Sequence, residues 1–221
     1  PDRASSRLAK SAILYQYDAK GIPIGMNVWF LSYSGNTFTV TEQSALRDLL
    51  SYHGFSIRIS GSSGIRVKTG ISADLRAILL SDGVAGYRLS EYGTLVMNNA
   101  SRSTFPFIKD GQKVQCALSY GQTSDGLRDA VFETVSGRIR YTVVFVNVPV
   151  SEYKTDFAFR GYVTLKNGDE EITLYGPVNY RSIYRIAEQV LEQELFQIDT
   201  PQNLYLRDLI AAYDAYKGEA T

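Results

Sequence analysis

One histidine and one cysteine stand among the 221 residues, and that scarcity bounds the chemistry open to the chain. A Ser–His or Cys–His nucleophile pair would have to use His53. The Leu46, Leu49, Leu50 spacing predicts a short helix ended by Gly54. A histidine just before that glycine serves as a donor to the last helical carbonyls. Cys116 alternates with Val114 and Leu118, which predicts a buried, inert thiol within a strand. A lone histidine and a lone cysteine cannot supply a zinc site from protein alone. Asp169-Glu170-Glu171 lacks the alternating oxygen ligands of a calcium loop and reads as a charged hairpin tip. Gly61-Ser62-Ser63-Gly64 lacks the lysine and following helix of a phosphate loop. Paired carboxylates for glycoside hydrolysis meet only in three dimensions, and no pair is singled out. No cofactor and no metal are expected, and the chain reads as a non-enzyme.

Binding residues are more informative than catalytic ones. Looping Gly61-Ser62-Ser63 aligns Ile57 with Val67 and sets Arg58 opposite Arg66. Like charges directly opposed need an anion between them, from a ligand or from an internal partner such as Glu91. Arg160, Tyr162 and Tyr175 form a second candidate. In an Asn167-Gly168 hairpin, Arg160 lies beside Tyr175 and Tyr162 beside Thr173, on the face opposite Val163, Ile172 and Leu174. Exposed, that face is an aromatic platform for sugars or a partner; the alternative is that a helix over Tyr180–Leu195 covers it.

The elements that must position these groups follow from periodicity. Thr155–Leu165 alternates Phe157, Phe159, Gly161, Val163 and Leu165 with more polar residues, the mark of a strand with one buried and one wetter face. Asn-Gly is the strongest short hairpin signal, because a type I′ turn needs φ > 0 at both central residues. Arg138–Val148 and Glu170–Tyr175 are further strands. Upstream, Ala12–Tyr17, Met26–Tyr33 and Thr37–Val40 read as strands, then Thr41 as the cap of the first short helix. Phe55–Ser60 and Ile65–Ile71 make a hairpin, and Ser72 caps a second helix closed by Gly83. Glu91–Met97 and Lys113–Tyr120 are strands. Asn98–Gln112 and Gly121–Asp129 read as loops, the first long enough to suggest a functional role. Two C-terminal helices follow, Tyr180–Leu195 and one begun by Asp199-Thr200-Pro201. The fold expected is mainly β with peripheral α: an antiparallel β-sandwich over 1–198 with two short inserted helices, and a helical appendage over 199–221.

Composition narrows the partners. With 23 basic and 23 acidic residues the net charge is zero, which argues against nucleic acid or anionic membrane held by bulk charge. No apolar run reaches the roughly 20 residues of a membrane helix, so no membrane insertion is expected. No signal-peptide pattern stands at Pro1, as expected of a processed piece. Sixteen tyrosines against one tryptophan and two methionines is a bias of β-rich surface proteins.

Several segments together resemble one family. Tyr52-His53-Gly54-Phe55-Ser56-Ile57-Arg58, Gly64-Ile65-Arg66-Val67-Lys68-Thr69 and Glu91-Tyr92-Gly93-Thr94-Leu95-Val96 are similar to a poorly characterised module of Clostridia-type Gram-positive bacteria. So are Tyr153-Lys154-Thr155-Asp156-Phe157-Ala158-Phe159-Arg160-Gly161-Tyr162 and Tyr175-Gly176-Pro177 with Arg181-Ser182-Ile183-Tyr184. That module recurs in large exported cell-surface proteins, and the resemblance spans roughly Thr37 to Leu195. It implies an extracellular location and an immunoglobulin- or fibronectin-like sandwich, with no defined catalytic residues. The expectation is therefore a non-catalytic surface module acting in adhesion, glycan binding or surface assembly, with a polysaccharide or surface protein as partner and self-association open. The alternatives are a carbohydrate-active hydrolase with unidentified carboxylates and a purely structural spacer.

Overall fold

The computed structural model describes residues 10–34, 37–46, 49–59 and 64–219. The chain begins with β1 (Lys10–Tyr17), β2 (Pro23–Ser34) and β3 (Thr37–Ala45), a three-stranded antiparallel sheet in that order. Then come β4 (Leu50–Arg58), β5 (Gly64–Ser72), α1 (Ala73–Ser81) and β6 (Arg88–Asn98). A connection with a 3₁₀ turn leads to β7 (Gln115–Thr123), β8 (Gly126–Asp129), β9 (Glu133–Val135) and β10 (Arg138–Val146). The last elements are β11 (Phe157–Asn167), β12 (Glu170–Tyr175), β13 (Asn179–Arg181), α2 (Ile183–Glu192) and α3 (Pro201–Glu219). A four-stranded sheet runs β4-β5-β10-β9, and a six-stranded sheet runs β12-β11-β6-β7-β8 with β13 beside β11. All pairings are antiparallel among the described strands.

The four- and six-stranded sheets face each other across an aromatic core. Tyr141 on β10 lies 5.0 Å from Tyr92 on β6, and Phe145 lies 4.8 Å from Phe157 on β11. The Tyr141 hydroxyl donates to the Gly93 carbonyl at 3.2 Å, so its one polar atom is satisfied inside the core. Ile65, Val67 and Ile71 of β5 fill the same layer with Phe159 and Val163 of β11. This is a mainly β, sandwich-like arrangement with a few helices.

Both faces of β11 are buried, not one. Its outer residues Ala158 and Tyr162 pack with Leu95, Met97 and Tyr175 beneath Ile22 and Phe107. The connection after β6 thus lies across this face, which alternation within one strand cannot reveal. The β11–β12 hairpin turns at Gly168-Asp169, with Asn167 opposite Glu170, one residue later than the Asn-Gly signal predicts. Gly168 alone takes the left-handed backbone in that turn, at φ 59°. The register therefore shifts by two: Tyr162 faces Tyr175, Val163 faces Leu174 and Leu165 faces Ile172.

One of the two expected inserted helices does not form. Thr37–Ala45 continues as a strand, and Leu50 opens the next one. Alternation of β-branched and aromatic residues through Thr37-Phe38-Thr39-Val40-Thr41 outweighs a stripe of only three leucines. Leu46 and Leu49 instead plug the core as the chain passes between sheets. The second helix is α1, and the Ser72 hydroxyl accepts from the Leu75 N–H at its start. Gly121–Asp129, expected as a loop, is the β7–β8 hairpin. At the C-terminus Thr200 caps α3, with its Oγ1 accepting from Asn203 N–H. α3 packs on α2 and buries Leu206 and Tyr213.

Candidate functional site

The outer face of the four-stranded sheet gathers cations in a chain whose total charge is zero. Strand alternation puts Ile65, Val67, Thr69 and Ile71 of β5 inward, which turns Arg66, Lys68 and Gly70 outward. On β10, Tyr141 faces inward, so Arg138, Arg140 and Thr142 share the outer face. The register sets Gly70 opposite Arg140 and Ser72 opposite Arg138. Arg66, Lys68, Arg140 and Arg138 thus form a band that steps across two strands, about 7 Å per pair of residues along each strand. Arg58 of β4 extends the band on the side of Arg66.

Among the described residues Glu133 on β9 is the acidic residue paired within this band: its Oε1 lies 2.9 Å from Lys68 Nζ and 3.1 Å from Arg140 Nη1. Hydrogen bonds from those two cations hold its carboxyl below the usual range. Beside it, Lys68 sits over the Phe132 ring, 4.7 Å from the centroid, and Phe132 is 51% exposed. An exposed aromatic next to a row of cations offers both stacking and charge to one ligand.

Arg58 and Arg66 come to this face, but not as an opposed pair. Arg58 lies opposite Gly64, and Arg66 lies opposite Ser56. Ile57 pairs with Ile65 and not with Val67, so this register differs by two residues as well. No bridging carboxylate is therefore demanded, and Glu91 pairs elsewhere, with Lys109 at 2.9 Å. The residues that complete the band, Lys68, Arg138, Arg140, Glu133 and Phe132, were not singled out in sequence. Their signal was present: Arg66-Val67-Lys68 and Arg138-Ile139-Arg140 each alternate cations at the strand period. Only the pairing of β5 with β10 turns two such alternations into one surface.

His53 occupies the bulge of β4, not a helix end. Its Nε2 lies 2.8 Å from Ser51 Oγ, and the ring lies on Gly70, where a Cβ would come within 2.6 Å of Nε2. Burial lowers its pKa, and Arg140, Arg138 and Lys68 lower it further against the opposing pull of Glu133. Among the described residues no carboxylate binds His53 Nδ1, so the third member of a triad has no counterpart here. Cys116 is exposed, contrary to the expectation of a buried thiol, because β7 leaves the sheet's cover at Gln115-Cys116. Its thiol still donates to the Tyr162 hydroxyl at 3.1 Å, and desolvation raises its pKa.

Arg160, Tyr162 and Tyr175 are brought together, yet they form no exposed platform. They are 3%, 0% and 7% exposed, and the segment around Phe107 rather than α2 covers them. Arg160 Nε and Nη2 donate to the Gly176 carbonyl and Nη1 donates to the Phe107 carbonyl, at 3.0–3.2 Å. Among the described residues, no cluster of three or more His, Cys, Asp or Glu side chains could hold a metal ion, and no helix is long and apolar enough to cross a membrane. Compared with family models, curated proteins and solved structures, the chain has no match.

Proposed function

We propose that the chain is a non-catalytic binding module of a Gram-positive cell-surface protein, and that its basic sheet face holds an acidic polysaccharide. One observation carries this reading: Arg66, Lys68, Arg138 and Arg140 share one outer face, where Glu133 is the one paired carboxylate among the described residues, beside the exposed Phe132. Evenly spaced cations suit a repeating anion, and each contact adds a modest increment that a long ligand multiplies. The extracellular setting, the role in adhesion or surface assembly, and an immunoglobulin- or fibronectin-like strand topology rest on the family resemblance in the sequence. Titration of polygalacturonate against neutral pullulan tests the reading. Saturable binding of the acidic polymer alone, weakened by salt, is expected. Equal binding of both polymers, or of neither, would overturn it.

The Ser51–His53 contact favours a second reading, a hydrolase with Ser51 as nucleophile. Covalent labelling of Ser51 by a fluorophosphonate, located by mass spectrometry, would carry that reading, and an unlabelled Ser51 would end it.

A further inference from the structure

A cavity of about 340 Å³ opens where the chain leaves β12 at Gly176-Pro177. The β1–β2 hairpin supplies Asp18 and Ile24 to its wall, the connection between sheets supplies Leu46 and Leu49, and β11 and β12 supply Arg160, Val163 and Leu174. It is separate from the basic sheet face, and its size is at the small end of sites that enclose a whole ligand. That size excludes a polymer and suits one small molecule.

Its two ends differ in character. At one end is Arg160, whose residue is 97% removed from solvent on a 3% exposure. A buried guanidinium normally lies against a carboxylate, because an uncompensated charge is costly inside a protein. Among the described residues no carboxylate lies within ion-pair distance of Arg160. Its three hydrogen bonds go to two backbone carbonyls, which leaves two of its five N–H groups without a partner among the described residues. Tyr175 stacks against the guanidinium at 4.8 Å and fixes its plane. Burial pushes its pKa down to about 10, and the Asp18 carboxylate is the foremost group opposing that fall. Asp18 and Arg160 thus line the same cavity with no ion pair between them.

Asp18 is itself held for recognition. Its Oδ1 accepts from the N–H groups of Lys20 and Ile22 at 2.8 and 3.0 Å, which locks the carboxylate in place. Its Oδ2 has no hydrogen-bond partner among the described residues. The other end of the cavity is aliphatic, walled by Leu46, Leu49, Leu50, Val163 and Leu174.

From the separated charges at one end and the aliphatic wall at the other, we infer that this cavity binds a free aliphatic α-amino acid. The ligand carboxylate takes the open N–H groups of Arg160, its ammonium takes Asp18 Oδ2, and its side chain lies among the leucines. A plain carboxylate would leave Asp18 facing an anion, and a plain amine would leave Arg160 uncompensated. A zwitterion satisfies both groups at once.

The test uses the full chain, calorimetric titration and three probes of one carbon skeleton: L-leucine, 4-methylpentanoate and 3-methylbutylamine. L-Leucine is expected to bind one-to-one, with each single-charge analogue roughly ten- to a hundredfold weaker, the worth of a lost charge-assisted contact. Asp18→Asn keeps the Oδ1 acceptor of the turn and removes the charge, so it should abolish the preference for leucine over 4-methylpentanoate without unfolding the hairpin. Ile24→Trp, at a 37% exposed rim position, should block all three probes. No saturable binding of leucine, equal binding of glycine and leucine, or leucine affinity unchanged in both variants would overturn the inference. Failure here leaves polygalacturonate binding intact, and loss of polymer binding leaves this result intact, so the two sites are judged separately.

Discussion

Replacing Arg66 and Lys68 together by alanine gives the most direct test of the basic face. Both side chains leave β5 on its outer side, while the inward Ile65 and Val67 are 0% and 1% exposed and keep their core contacts. The substitution should therefore lower the unfolding free energy by only about 1 kcal/mol, chiefly through the lost Lys68–Glu133 ion pair, and leave the chain folded. Each partly exposed ion contact to a bound polyanion is worth up to about 1 kcal/mol. Losing two costs about 1–2 kcal/mol, or roughly a 5- to 30-fold loss of affinity for polygalacturonate at 0.15 M salt. The salt dependence supplies a second reading of the same quantity. Charges about 7 Å apart act together at a Debye length of about 8 Å, and act singly when 1 M salt shortens it to about 3 Å. Binding of the unaltered chain should then fall steeply with salt, and binding of the variant less steeply. Glu133→Gln removes the paired carboxylate and should move affinity the other way. A folded double variant that binds polygalacturonate as tightly as the original chain would refute the reasoning, as would affinity indifferent to salt.

Protonation of His53 adds a charge to the same face. Its pKa is lowered, so it binds protons more weakly in the folded chain than in the unfolded one, where the value is 6.5. Stability should fall as the pH drops below 6.5 and on through the folded pKa, whereas polyanion binding should strengthen over the same range; His53→Gln should flatten both, read by thermal midpoint and by titration. Gly168→Val places a β-branched residue at φ 59° and should cost about 1–3 kcal/mol in a denaturant titration, with an unchanged midpoint ruling out the strained turn. We propose that α3 is an appendage to the β module: removal of residues 200–221 should leave a cooperative unfolding transition, and its loss would make Leu206, Leu209 and Tyr213 part of the core.

Much of the fold was legible because a period of two is written into single strands. β10, β11, β12 and the capped starts of α1 and α3 all follow from residues within a few positions of one another. The missing helix shows where local reading ends. Leu46, Leu49 and Leu50 have helical spacing, but their burial is set by β11 and β12, more than 100 residues away in sequence. The cover over Arg160 and Tyr162 was illegible for the same reason. A polar outer row reads as wet unless one knows that Phe107 will lie on it and offer its carbonyl to the arginine. In Tyr162 the polar atom is a single hydroxyl, which one partner, Cys116, suffices to satisfy.

The hairpins explain why candidate residues were recognised while their relationships were not. Both the β11–β12 and the β4–β5 registers differ from the sequence reading by two residues. A shift of two preserves which face each side chain occupies, since side chains alternate with period two. Arg58 and Arg66 therefore stay on one face, and Arg160, Tyr162 and Tyr175 stay on another, as their alternation requires. The same shift changes every directly opposed pair. It removes the Arg58–Arg66 clash that alone demanded a bridging anion, and it puts Tyr175 opposite Tyr162 instead of Arg160. What survives is a property of faces, and charge on a face is additive without regard to exact neighbours. The basic band depends on the alternation within β5 and β10, and a register error of two would leave it standing. The amino-acid cavity depends on Arg160 reaching Gly176 and lying near Asp18, contacts set by tertiary packing. The surface was therefore within reach of sequence and the cavity was not.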